Sequence, residues 1–170
     1  IEQYTHLAYR LSLLEIQKLA YFLQEAGEPL RLQFTKSWYG PYAHNLNKVL
    51  ERLEGHYIRG YGDSQKPDAE LVLLPAAIDA ANTFLQSATT SKQRLQHVSN
   101  LIEGFETPYG MELLASVHWL ATHEQPAATT ASAAVAGIQQ WSQRKATTFQ
   151  PAHINVAWQR LSSEVLVPSL

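Results

Sequence analysis

The amino-acid sequence predicts an α+β fold: a mainly α-helical bundle with a small antiparallel β-sheet of about three strands. Three observations carry this expectation. Apolar residues recur at helical spacing behind recognisable start and stop signals along most of the chain. One alternating segment, and two short β-prone runs around a polar loop, supply the strands. An apolar fraction of 45% over 170 residues is enough to build a core.

Ser12-Leu13-Leu14-Glu15 has the spacing of a capping box, in which each side chain satisfies an orphan amide of the first turn. Ile16, Leu19, Ala20 and Leu23 then form one apolar stripe, and Gly27 supplies a left-handed stop. Leu30, Leu32 and Phe34 alternate with Arg31, Gln33 and Thr35, predicting a half-buried strand that ends at Lys36. Gly40-Pro41 is expected to open a second helix, because proline at the first helical position costs no hydrogen bond. Tyr42, Leu46, Val49, Leu50 and Leu53 would form its core face, with Gly55 as its stop. His56 to Tyr61 and Glu70 to Leu74 predict two short strands joined by the polar loop from Gly62 to Asp68. Three further helices follow. Pro75 opens one, Leu95, Val98, Ile102 and Phe105 mark the next, and Thr107-Pro108 starts the third, which carries Met111, Leu114, Val117 and Ala121. Gln125 to Ser132 is a Pro/Ala/Thr-rich linker. Val135, Ile138 and Trp141 share a helix expected to end in Arg144-Lys145, where cations suit the helix dipole. Pro151 starts the last helix, with Phe149 and Ile154 spaced as a hydrophobic staple. Val165-Leu166-Val167 closes as a strand or packs loosely. Residues 1–124 are thus expected to form a helical core with the sheet, and residues 125–170 a helical hairpin packed on it within one domain.

Composition narrows the function classes. With no cysteine, disulfides and thiolate metal sites are excluded, and a reducing, cytoplasmic location is expected. No apolar run approaches the roughly 18 residues of a membrane span, so no membrane partner is expected. The chain begins at Ile1 without a charged-then-apolar leader and reads as a piece of a longer protein. Net charge is −2, but the segment from Asp63 to Glu124 holds 8 acidic and 3 basic residues. A nucleic-acid binder usually shows the opposite balance, whereas an acidic patch attracts a basic protein.

Side-chain patterns argue against catalysis. The seven histidines are scattered, none in a His-x-x-x-His pair, so no metal site and no cofactor are expected. There is no Gly-x-Ser-x-Gly and no P-loop, and no catalytic residue is assigned. The last two helices admit a helix-turn-helix reading in which Arg144, Lys145 and Arg160 would meet DNA. What stands out instead is the coincidence of aromatic and acidic residues. Trp38 and Tyr39 form one candidate binding cluster, and Glu103, Glu106, Tyr109 and Glu112 another.

Several blocks then match a known family. Leu14-Glu15-Ile16-Gln17-Lys18-Leu19-Ala20-Tyr21-Phe22-Leu23-Gln24 and Tyr39-Gly40-Pro41-Tyr42 resemble a family of antitoxin domains, and within them the Gln17-Lys18-Leu19 and Tyr39-Gly40-Pro41 blocks are similar to Panacea-type antitoxin domains more broadly. With Glu54-Gly55-His56-Tyr57-Ile58-Arg59-Gly60-Tyr61-Gly62-Asp63, the run from Gly104 to Leu114, and Val117-His118-Trp119, the succession resembles the C-terminal toxin-binding domain of DarG-type antitoxins over nearly the whole chain. The resemblance implies an antitoxin domain that binds a DarT-type DNA ADP-ribosyltransferase toxin and occludes its single-stranded DNA site by nucleic-acid mimicry. It also implies that an N-terminal macrodomain, whose glycine-rich ADP-ribose loops this chain lacks, removes ADP-ribose from DNA. The chain itself is therefore expected to be no enzyme and to contact no nucleic acid directly. A DNA-binding regulator of a toxin–antitoxin operon and a free-standing hydrolase are the alternatives. The resemblance assigns no contact residue, so the six candidates rest on composition. Their chemistry suits mimicry: carboxylates can stand for phosphates and aromatic rings for bases.

Overall fold

The computed structural model describes Tyr4, residues 11–62 and residues 66–164. In chain order the elements are α1 (Leu13–Glu25), β1 (Phe34–Ser37), β2 (Gly40–Ala43), α2 (Leu46–Leu53), β3 (Ile58–Arg59), β4 (Val72–Leu73), α3 (Pro75–Ser87), α4 (Thr89–Ile102), α5 (Pro108–Thr122), α6 (Ala131–Trp141), α7 (Gln143–Thr148) and α8 (Pro151–Ser163). The chain is mainly helical with small antiparallel sheets, as the sequence predicts.

The core forms around α5. Every residue from Gly110 to Ala121 is buried, the signature of a helix surrounded on all sides. Thr107 caps it by accepting the Gly110 N–H, and Pro108 occupies its first turn. α1, β2, α6 and α8 pack around α5; α4 lies against α1, and α3 lies against α4. α1 starts in the expected capping box between Ser12 and Glu15, and Gly27 takes the left-handed φ of +91° past its end. Phe149 and Ile154, at the staple positions of α8, are both buried.

The strands correct the sequence reading. Instead of one three-stranded sheet there are two separate two-stranded ladders, β1–β2 and β3–β4. The first strand covers only Phe34–Ser37, because Arg31 turns the chain with φ +56° and Leu30 is exposed. Gly40-Pro41 does not open a helix. Ser37 pairs with Gly40 and Phe34 with Ala43, so Trp38-Tyr39 is a two-residue hairpin turn. α2 begins only at Leu46, leaving Tyr42 half-buried and Val49 exposed rather than in the core. Arg144-Lys145 does not end a helix either. Ser142 adopts an extended conformation and its side chain accepts the Lys145 N–H, which starts α7 afresh. The expected strand at 165–167 lies outside the described residues.

Candidate functional site

The Trp38-Tyr39 hairpin is held at its base by polar side chains from three helices. Gln17 on α1 works as a double clamp: its amide donates to the Ala43 carbonyl at 3.2 Å and accepts the Ala43 N–H at 3.0 Å. The next residue, Lys18, donates through Nζ to the Pro41 carbonyl at 2.8 Å. On α6, Trp141 Nε1 donates to the Ser37 carbonyl at 3.1 Å. On α7, the Arg144 guanidinium lies 4.6 Å from the Tyr39 ring centroid, within cation–π range. Gly40 lies close against α5. Its φ is +91°, and a Cβ there would sit 2.9 Å from Ser116 Oγ.

Beneath the hairpin lies a buried ion cluster. Glu112 on α5 is 3% exposed and accepts both arms of the Arg144 fork at 2.6 and 2.9 Å. It also accepts Lys145 Nζ at 2.6 Å, and that ammonium donates at 2.9 Å to Ser116 Oγ. Lys145 is 0% exposed and faces the rings of Trp141 and Phe149 at 4.9 and 5.0 Å. Burial drives the Lys145 pKa down to about 8 against the pull of Glu112. Lys18, 1% exposed, is driven to about 7 by burial first and by the charge of Lys145 second. For Glu112 burial alone would raise the pKa, but hydrogen bonds from Arg144 and the Lys145 charge outweigh it and hold the carboxyl below its ordinary value. Bidentate arginine pairing with a fully occupied carboxylate is the condition under which a buried ion group is tolerated.

Of the six candidate residues, three are exposed. Trp38 is 56% exposed at the tip of the hairpin. Glu103 is exposed, with no hydrogen bond or ion pair among the described residues. Tyr109 is exposed at one edge, its hydroxyl 2.7 Å from His153 Nδ1 and its ring against Phe149. Tyr39 is half-buried under Arg144, and Glu106 is half-buried with its carboxylate on the Gly104 N–H at 2.6 Å. Glu112, expected among the binding residues, is inside and engaged by three donors. Helical spacing could not show this, because α5 has no outward face over that stretch. Gln17, Lys18 and Ser116 carried no site signal beyond the first two belonging to the Gln17-Lys18-Leu19 block.

The cations that a DNA-reading helix would need are turned inward. Arg144 and Lys145 hold Glu112, and Arg160 Nη1 donates to the Asn100 and Leu101 carbonyls at 2.8 and 3.2 Å. Among the described residues, no group of three His, Cys, Asp or Glu side chains could hold a metal ion. None of the described helices is long and apolar enough to cross a membrane.

No family model matches the chain. Curated relatives do. Over 154 residues it is 46% identical to a protein of Thermus aquaticus, covering 91% of this chain and 42% of that protein. That relative is named DNA ADP-ribosyl glycohydrolase. Proteins of the same name from Mycobacterium tuberculosis and Mycobacterium bovis are 37% identical over 157 residues, covering 89% of this chain and 44% of theirs. The chain thus spans less than half the length of the curated relatives it matches. These names correct the expectation of a chain that is no enzyme: homologues covering about nine-tenths of it carry the name of an enzyme.

Proposed function

We propose that this chain belongs to a longer DNA ADP-ribosyl glycohydrolase and that, within it, these residues bind and neutralise a DNA ADP-ribosyltransferase toxin. The first half of this reading rests on the 46% identity to the Thermus aquaticus protein of that name. The second half rests on the DarG-type resemblance and on rings and carboxylates that reach solvent: Trp38 at the hairpin tip, and Glu103, Glu106 and Tyr109 around the start of α5. An inhibitor carrying carboxylates where a strand carries phosphates would occlude a single-stranded DNA groove lined with cations. The inward engagement of Arg144, Lys145 and Arg160 supports a protein partner over a duplex.

Two assays test the halves separately. The chain mixed with the cognate toxin should form a complex and suppress ADP-ribosylation of a single-stranded oligonucleotide; a toxin that stays free and active would remove the neutralisation reading. The full-length protein given ADP-ribosylated DNA should release ADP-ribose; intact modified DNA would remove the glycohydrolase reading.

A further inference from the structure

Trp119 and Trp158 are buried and Trp141 is half-buried, so Trp38 alone among the four tryptophans stands mostly in solvent. It does so on a turn that cannot easily move. Two hydrogen bonds from Gln17, one from Lys18 and one from Trp141 fix the strands on either side, and Arg144 covers the adjacent Tyr39 ring. Two lysines are buried at this junction, Lys18 on the hairpin backbone and Lys145 on Ser116 beneath Gly40. Burying ammonium groups is costly, and here the arrangement fixes the shape of a surface turn. Beside the turn opens a pocket of about 220 Å³ walled by Leu13, Leu14, Tyr39, Tyr42 and Pro67.

We propose that Trp38 and this pocket form a knob and a socket that grip the transferase, resting on the neutralisation reading above: Trp38 enters a slot on that protein, and an apolar or aromatic side chain of that protein enters the pocket. The chemistry of the pocket selects the occupant. Gln17 and Lys18 also line it, but both amide atoms of Gln17 are taken by Ala43 and Lys18 is turned to Pro41. What remains is the carbon wall of Leu13, Leu14 and Pro67, two phenol rings and Ser37. The nearby cations Lys36 and Arg144 are paired with Glu124 and Glu112, and Lys18 is held on the Pro41 carbonyl, which favours a protein over a nucleic-acid strand. Tryptophan is among the residues enriched at interface hot spots, and a turn held in place before binding loses little ordering entropy.

The test is the affinity of the chain for the cognate transferase. Trp38→Ala removes an exposed ring, so the urea midpoint should not change, while binding should weaken by about thirty-fold or more. Pro67→Trp, which fills the socket, should weaken binding by about ten-fold or more with the knob intact. Glu103→Lys with Glu106→Lys reports on the separate acidic stretch. A wild-type complex that loses less than about three-fold on Trp38→Ala would overturn this proposal while leaving the neutralisation reading in place. Absence of any wild-type complex would instead strike the reading beneath it. Trp38-dependent self-association in sedimentation would also overturn the proposal, assigning the socket to a second copy, and so would a Trp38-dependent gel shift with DNA.

Discussion

Replacing Glu112 by alanine should destabilise the chain by about 3–5 kcal/mol, the cost of leaving a buried charge without its partner. The structure sets that scale. Glu112 takes three hydrogen bonds, and Lys145, fully buried, has no other carboxylate partner among the described residues. Lys18 loses the same favourable charge. Arg144 can relax toward water, its side chain being 30% exposed, so most of the penalty falls on Lys145. For a chain of this size the loss corresponds to roughly 10 °C in Tm. Urea unfolding followed by tryptophan fluorescence at pH 7 measures it directly. A double variant, Glu112→Leu with Lys145→Met, removes both charges and should be less destabilised than Glu112→Ala alone, because an apolar pair of similar volume replaces a buried ion pair at little cost. A single variant losing under about 1 kcal/mol, or a double variant at least as unstable as the single, would refute the claim that the ion cluster holds this junction together.

Three further outcomes follow from the same geometry. Stability should rise from pH 7 toward pH 9. Lys145 and Lys18 have folded pKa values lowered to about 8 and about 7, so their contribution is full above the ordinary lysine value and is lost as pH falls through those folded values; urea midpoints that fall with rising pH over this window would contradict it. Gly40→Ala should cost about 1–3 kcal/mol, and more than Gly55→Ala, since both glycines have positive φ but only Gly40 is crowded, by Ser116 Oγ; equal urea midpoints for the two variants would remove the close approach from the account. Ser12→Ala should cost about 1 kcal/mol in thermal unfolding, through loss of the capping box with Glu15.

Local chemistry was legible in the sequence, and long-range partners were not. The Ser12–Glu15 box, the Gly27 stop and the Thr107-Pro108 start were readable because each depends on residues within one helical turn. Gly40-Pro41 satisfies the rule for a helix start equally well, and what makes it a strand is the grip of Gln17 and Lys18, more than twenty residues away. Ser142 is as good a cap as Ser12, yet it sits inside an apparently continuous helical pattern, so the break before Arg144-Lys145 was invisible. Glu112 shows the same limit at the candidate site. Its neighbours in sequence are Tyr109 and two other glutamates, which suggest a surface, while its partners Arg144 and Lys145 come from a helix formed over thirty residues later. Trp38 and Glu103 are exposed, but the hairpin that presents Trp38 rests on the same distant partners, Gln17 and Lys18.

The central claim is that this chain binds and silences a DNA-modifying transferase, and the most direct measurement is a titration. Increasing amounts of the chain are added to a fixed amount of the cognate DNA ADP-ribosyltransferase, and modification of a single-stranded oligonucleotide is followed. The account predicts that modification ceases near one equivalent of chain. Undiminished modification at about a ten-fold excess would contradict it.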